Sequence, residues 1–86
     1  MSRTYYKDEK FLKKFGENLK KIRQEKGISQ EELANDLGFS QPHIVKIELG
    51  QVNTSISHVS AIAKTLKVPV SYLFEFYKST SVFDLS

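Results

Sequence analysis

Ser29-Gln-Glu-Glu-Leu-Ala-Asn-Asp-Leu-Gly-Phe-Ser-Gln-Pro-His-Ile-Val-Lys-Ile-Glu-Leu-Gly50 is the stretch whose reading decides the fold. Serine at its head and Glu32 three residues on match a capping box, so a helix starts at about Gln30. Leu33, Ala34 and Leu37 form the buried side of that helix. Gly38 ends it, because glycine accepts the left-handed conformation of a helix C-terminus. Ser40 caps a second helix, with Pro42 in its first turn, where a missing amide costs little. Gly50 closes it. On a helical wheel Ile44, Ile47 and Glu48 fall on one side, and Gln41, Pro42, Val45, Lys46 and Leu49 on the other. The reading is thus two short helices joined by Gly38-Phe39-Ser40, the second with an inward stripe and a distinct outward face.

Helical signals continue on both sides of this pair. Upstream, Phe11 or Leu12, Phe15, Leu19 and Ile22 recur at three- and four-residue steps. Lys13, Lys14, Lys20, Lys21 and Glu25 occupy the polar sides. This first helix is predicted from about Asp8 to Lys26, stopped by Gly27. Downstream, Asn53, Thr54 and Ser55 make a polar connection with Ser55 as the next cap. Ile56, Val59, Ile62, Ala63 and Leu66 define a fourth helix. Pro69 breaks the chain, and Val70, Leu73, Phe74 and Tyr77 predict a short fifth. The expected architecture is all-α, a compact five-helix domain over residues 11–77. Residues 1–10 read as an N-terminal extension and 78–86 as a C-terminal tail.

The 86 residues suffice for one domain. With no cysteine in the chain, disulfides, thiolate zinc sites and cysteine nucleophiles are excluded, which fits a reducing cytoplasm. No apolar stretch approaches the roughly 20 residues that span a bilayer, and the N-terminus lacks the apolar run of a secretory signal. Neither a membrane partner nor a cofactor is expected. Residues 1–26 hold nine of the thirteen Lys and Arg against four of the ten acids. A basic N-terminal third suits an anionic partner, although a solvated helix face reads the same way. An enzyme is not expected: the two histidines lack triad or metal spacing, and no phosphate-cradling glycine loop appears.

Two short helices joined by a tight glycine turn are what a DNA-reading helix-turn-helix requires: one braces, and the other enters the major groove N-terminus first. An αα-hairpin of an ordinary bundle has a similar outline, so specific residues must decide. Gln30, Leu33-Ala34, Gly38, Ser40, Ile44 with Ile47, Glu48 and Gly50 closely resemble the pattern of the Xre family of lambdoid-repressor-like helix-turn-helix proteins. The likeness extends back to Gly16 and Arg23 and forward through Ile62-Ala63, Leu66 and Leu73. It implies a five-helix, lambda-repressor-like domain, with the helix-turn-helix at helices 2 and 3, that binds operator DNA, usually as a dimer. Phage Cro-like repressors and controller proteins of restriction–modification systems are similar in size.

Chemistry and resemblance together assign roles. Gln41 can pair with adenine N6 and N7, and Lys46 can donate to guanine O6 or N7. Pro42 and Val45 depart from the polar residues many relatives place there. They fit thymine methyl groups or, with Leu49, a small apolar patch for a protein partner. Gln30 resembles the family residue that bonds phosphate and steadies the neighbouring glutamine, at a helix N-terminus that favours an anion. Ser40 is a cap with a phosphate within its range. His43, at the border of the outward face, is a phosphate contact or simply exposed. Gln51 and Asn53 lie where family members often touch the backbone. His58 reads as a surface residue. Family members pair an arginine late in helix one with the glutamate of helix three, so Arg23 and Glu48 are expected as a structural ion pair; an inward Glu48 needs such a partner.

One short reading helix makes few contacts, so specific affinity usually comes from two half-sites. Tyr72, Leu73, Phe74, Phe76 and Tyr77 exceed what one helix face buries internally. Tyr72, Phe76 and Tyr77 are therefore the expected dimer interface and Leu73 a core residue, unless Val82-Phe83-Asp84-Leu85 folds back over them. Arg3, Tyr5, Tyr6 and Lys7 form a basic arm or a frayed end. Thr54 stands where the family often has proline. The leading expectation is a cytoplasmic transcriptional regulator binding a palindromic double-stranded operator as a homodimer. An antitoxin or adaptor whose main partner is a protein is the alternative. Glu31, Glu32 and Asp36 are a solvated face or a contact for RNA polymerase.

Overall fold

The computed structural model describes residues 7–77. It contains α1 (Glu9–Glu25), α2 (Gln30–Leu37), α3 (Gln41–Glu48) and α4 (Ile56–Leu66), followed by a 3-10 segment, Val70–Tyr77. Each α-helix begins at a side-chain cap. Asp8, Ser29, Ser40 and Ser55 accept hydrogen bonds from the amides of Phe11, Glu32, His43 and His58. At Ser29 the box is reciprocal, since its own amide donates to the Glu32 carboxylate at 2.8 Å.

All four helices end in the same way. The amides of Ile28, Phe39, Gln51 and Val68 bond back to the carbonyls of Arg23, Ala34, Lys46 and Ala63, five residues earlier. This closure requires a left-handed residue just before the donor. Gly27, Gly38 and Gly50 supply it in three cases, whereas Lys67 adopts φ 60° in the fourth. No residue pattern in the sequence marks Lys67 for that role.

The core takes Phe15, Leu19 and Ile22 from α1, Leu33 and Ala34 from α2, and Ile44 and Ile47 from α3. Ile62, Ala63 and Leu66 from α4 and Leu73 from the last segment complete it. Burying each large aliphatic side chain contributes about 1.5–3 kcal/mol. α1 and the end of α3 approach one another closely. A Cβ at Gly16 would sit on the carbonyl oxygens of Ile47 and Glu48. One at Gly50, itself at φ 73°, would lie 2.5 Å from the Lys13 Cα. Glycine at these two positions lets α1 lie directly against α3.

The expected fifth helix is present, as a 3-10 helix. Its turns are 3-10, interrupted at Phe74 (φ −112°, ψ 15°). The Asn18 amide on α1 donates to the carbonyls of Tyr72 at 3.0 Å and Leu73 at 2.8 Å, which ties the segment to α1. Its aromatic residues find partners within the chain. Phe11 lies 5.9 Å from Phe74 and 5.3 Å from Phe76, and Phe15 lies 5.1 Å from Phe74. Leu73 is fully buried, while Tyr72, Phe74 and Phe76 are half-buried. Residues Arg3, Tyr5 and Tyr6, the Val82–Leu85 tail and the Tyr77 side chain lie outside the described residues. Among those described, no helix is long and apolar enough to cross a membrane.

Candidate nucleic-acid interface

Gly38, at φ 73°, turns the chain between α2 and α3. The turn leaves α3 with two distinct sides. Ile44, Ile47 and Glu48 are buried against the core. Gln41, Pro42 and Lys46 are exposed, Val45 is half-buried, and Leu49 is 56% exposed. Along α3 the outer face thus presents an amide, an apolar patch and an ammonium group, with the positive helix N-terminus at its leading end.

Behind that face runs a continuous polar chain. Arg23 grips Glu48 through two bonds, Nε to Oε2 at 2.6 Å and Nη2 to Oε1 at 3.1 Å. Its remaining nitrogen, Nη1, donates to the Ile28 carbonyl at 2.8 Å. Burial of this pair is tolerable because the two charges satisfy one another and the fork geometry is bidentate. Gln30 Nε2 donates to Glu48 Oε1 at 3.0 Å, and Gln30 Oε1 faces Gln41 Nε2 at 3.5 Å. The chain therefore leads from the core to the first residue of the outward face.

The remaining candidates surround it. Ser40 is exposed and occupied as the α3 cap. Gln51 and Asn53 are exposed in the loop after α3. The Lys7 ammonium donates to the Gln51 carbonyl at 3.1 Å, which places the base of the N-terminal extension beside this loop. His43 is half-buried and stacks on Phe39 with ring centroids 4.6 Å apart. His58, read from sequence as a surface residue, is also half-buried and meets Phe39 edge-on at 4.6 Å. Both histidines thus pack on one aromatic ring. Tyr72 and Phe76 stand apart from this face, against α1.

Sequence reasoning missed the role of α1 in shaping the site. Lys13 and Lys20 line a groove with Gln30, Val45 and Leu49. Lys7 and Lys13 line the adjoining one with Gly50 and Gln51. The contact at Gly16 and Gly50 brings these lysines beside the outer face of α3. The available signal was the seven-residue spacing of Lys13 and Lys20, two helical turns apart, flanking the apolar stripe beside Gly16. Glu17 and Glu9 share these grooves, so Lys7, Lys13 and Lys20 leave a small positive excess beside groups suited to base edges, which fits a polyanion.

Comparisons with known proteins agree with this geometry. A family model described as helix-turn-helix (HTH_3) matches residues 19–73. Over 70 residues the chain is 33% identical to an uncharacterized HTH-type transcriptional regulator, YqaE, of Bacillus subtilis (strain 168). The match covers 81% of this chain and 60% of YqaE, so the chain spans less than two thirds of that relative. Among solved structures, the restriction-modification controller protein C.AhdI from Aeromonas hydrophila superposes with a TM-score of 0.71 at 36% identity, covering 73% of this chain and 96% of its own. A variant of the controller C.Esp1396I gives 0.72 at 35% identity, covering 80% of this chain and 92% of its own. The chain belongs to the Xre-like helix-turn-helix (HTH_3) family.

Proposed function

We propose that this chain binds a palindromic or near-palindromic operator as a homodimer and regulates transcription in the cytoplasm, with α3 in the major groove. The observation that carries this reading is the division of α3: Ile44, Ile47 and Glu48 hold it to the core, while Gln41, Pro42 and Lys46 are exposed. In this arrangement Gln41 reads adenine, Lys46 reads guanine, and Pro42 and Val45 contact thymine methyl groups. Gln30, Ser40, His43, Gln51 and Asn53 are assigned to the phosphates on either side. Tyr72, Phe76 and Tyr77 are assigned to the dimer contact, and two copies of α3 would then read half-sites one helical turn apart.

Leu49, 56% exposed beside Val45, supports a second reading in which this face docks a protein, as in an antitoxin or adaptor. One experiment separates the two. Bound sites are selected from a random duplex library at fixed salt with the wild type and with Gln41→Ala. An enriched palindrome, altered at one symmetric position by the variant, is the expected result. Weak binding with no enriched motif, collapsing as salt rises, would reduce the interaction to phosphate attraction and put the protein-docking reading first.

A further inference from the structure

The polar chain behind α3 does more than brace it. Glu48, as a carboxylate paired with Arg23, offers only hydrogen-bond acceptors. The Gln30 atom 3.0 Å from it must therefore be the amide nitrogen. That choice turns the Gln30 carbonyl oxygen outward, toward Gln41 at 3.5 Å. A carbonyl oxygen can only accept, so Gln41 must meet it with its own amide nitrogen. The direction of both amides thus follows from a charge held in the core.

Resting on the assignment of Gln41 to base reading, we propose that Glu48 is a positioning residue for specificity: it sets the polarity of the Gln30 amide, and through it that of Gln41, so that Gln41 accepts adenine and rejects guanine. A primary amide carries two N–H groups, one beside its carbonyl and one pointing away. Using the second toward Gln30 leaves the carbonyl oxygen and the first N–H side by side. That pair, one acceptor and one donor, matches adenine N6 and N7. Guanine presents two acceptors, O6 and N7, at the same place. A Gln41 amide held this way opposes the guanine oxygen with its own oxygen. Freed from Gln30, the amide can rotate and offer its nitrogen to guanine instead. Arg23 contributes by keeping Glu48 oriented through two bonds, at 2.6 and 3.1 Å.

The test is the ratio of affinities for adenine over guanine at the operator position that Gln41→Ala alters. It is measured with the full chain at a temperature well below each variant's melting point. Gln30→Met breaks the chain while sparing the Arg23–Glu48 pair, and a fall in the ratio of roughly tenfold is expected. Glu48→Gln, which removes the obligate acceptor, should lower the ratio in the same direction. Adding Gln30→Glu to Glu48→Gln restores an acceptor-only group opposite Gln41, and the ratio should recover even though overall affinity drops. A merely structural Glu48 would change affinity or melting and leave this ratio alone. An unchanged ratio in Gln30→Met, or no recovery in the double variant, overturns the proposal while the reading by Gln41 stands. Gln41→Ala with no altered position overturns both.

Discussion

Lys67 shows what a single residue does when the chain asks of it a conformation its side chain disfavours. It holds φ 60° at the end of α4, in the same closure that Gly27, Gly38 and Gly50 complete elsewhere. An L-residue with a Cβ pays about 1 kcal/mol there, whereas glycine does not. Lys67→Gly should therefore raise stability by about 1 kcal/mol and Tm by several degrees, read by thermal unfolding. Gly50→Ala should do the opposite and more, because its new Cβ would meet the α1 backbone as well as an unfavourable φ. Equal melting of the two variants would contradict this account. The same scale explains the histidines. His58 carries no sequence signal for a partner, since Phe39, the ring it shares with His43, lies in the turn before α3, far from it along the chain.

At the scale of elements, α1 is the piece whose position carries the most consequence. Its apolar stripe was plain from spacing, and its boundaries fall where Asp8 and Gly27 place them. What spacing did not reveal is which flank faces α3. The close approach at Gly16 and Gly50 decides that, and it puts Lys13 and Lys20 along the groove beside Val45 and Leu49. Each lysine that neutralises a phosphate steepens the fall of log K with log salt by about 0.9. A Lys13→Ala/Lys20→Ala variant should thus bind with a slope shallower by about 2, with the preferred bases unchanged. Titrations at several salt concentrations measure it, and an unchanged slope would remove α1 from the interface. The last segment illustrates the converse. Its apolar pattern predicted a helix, but Pro69 at its start and the Asn18 bonds to its carbonyls favour 3-10 turns.

For the whole molecule, half-site reading and the proposed dimer belong together. Sedimentation at the concentrations that saturate a palindromic site should give twice the 9.9 kDa chain mass, and complexes with DNA should hold two chains. A single chain on a full palindrome would overturn the dimer. Much of this molecule could be read in its sequence, because the deciding interactions are local: caps three residues from their amides, glycine at helix ends, apolar residues one turn apart. Those features set five helical segments, their order and the outward face of α3. The family resemblance implied the Arg23–Glu48 pair; only the tertiary structure decided the other contacts between elements. Gln30 and Glu48 are 18 positions apart, and Asn18 reaches Tyr72 across 54. Such partners are chosen by how packed helices cross, here at two glycines, and no local rule of spacing or capping contains that crossing.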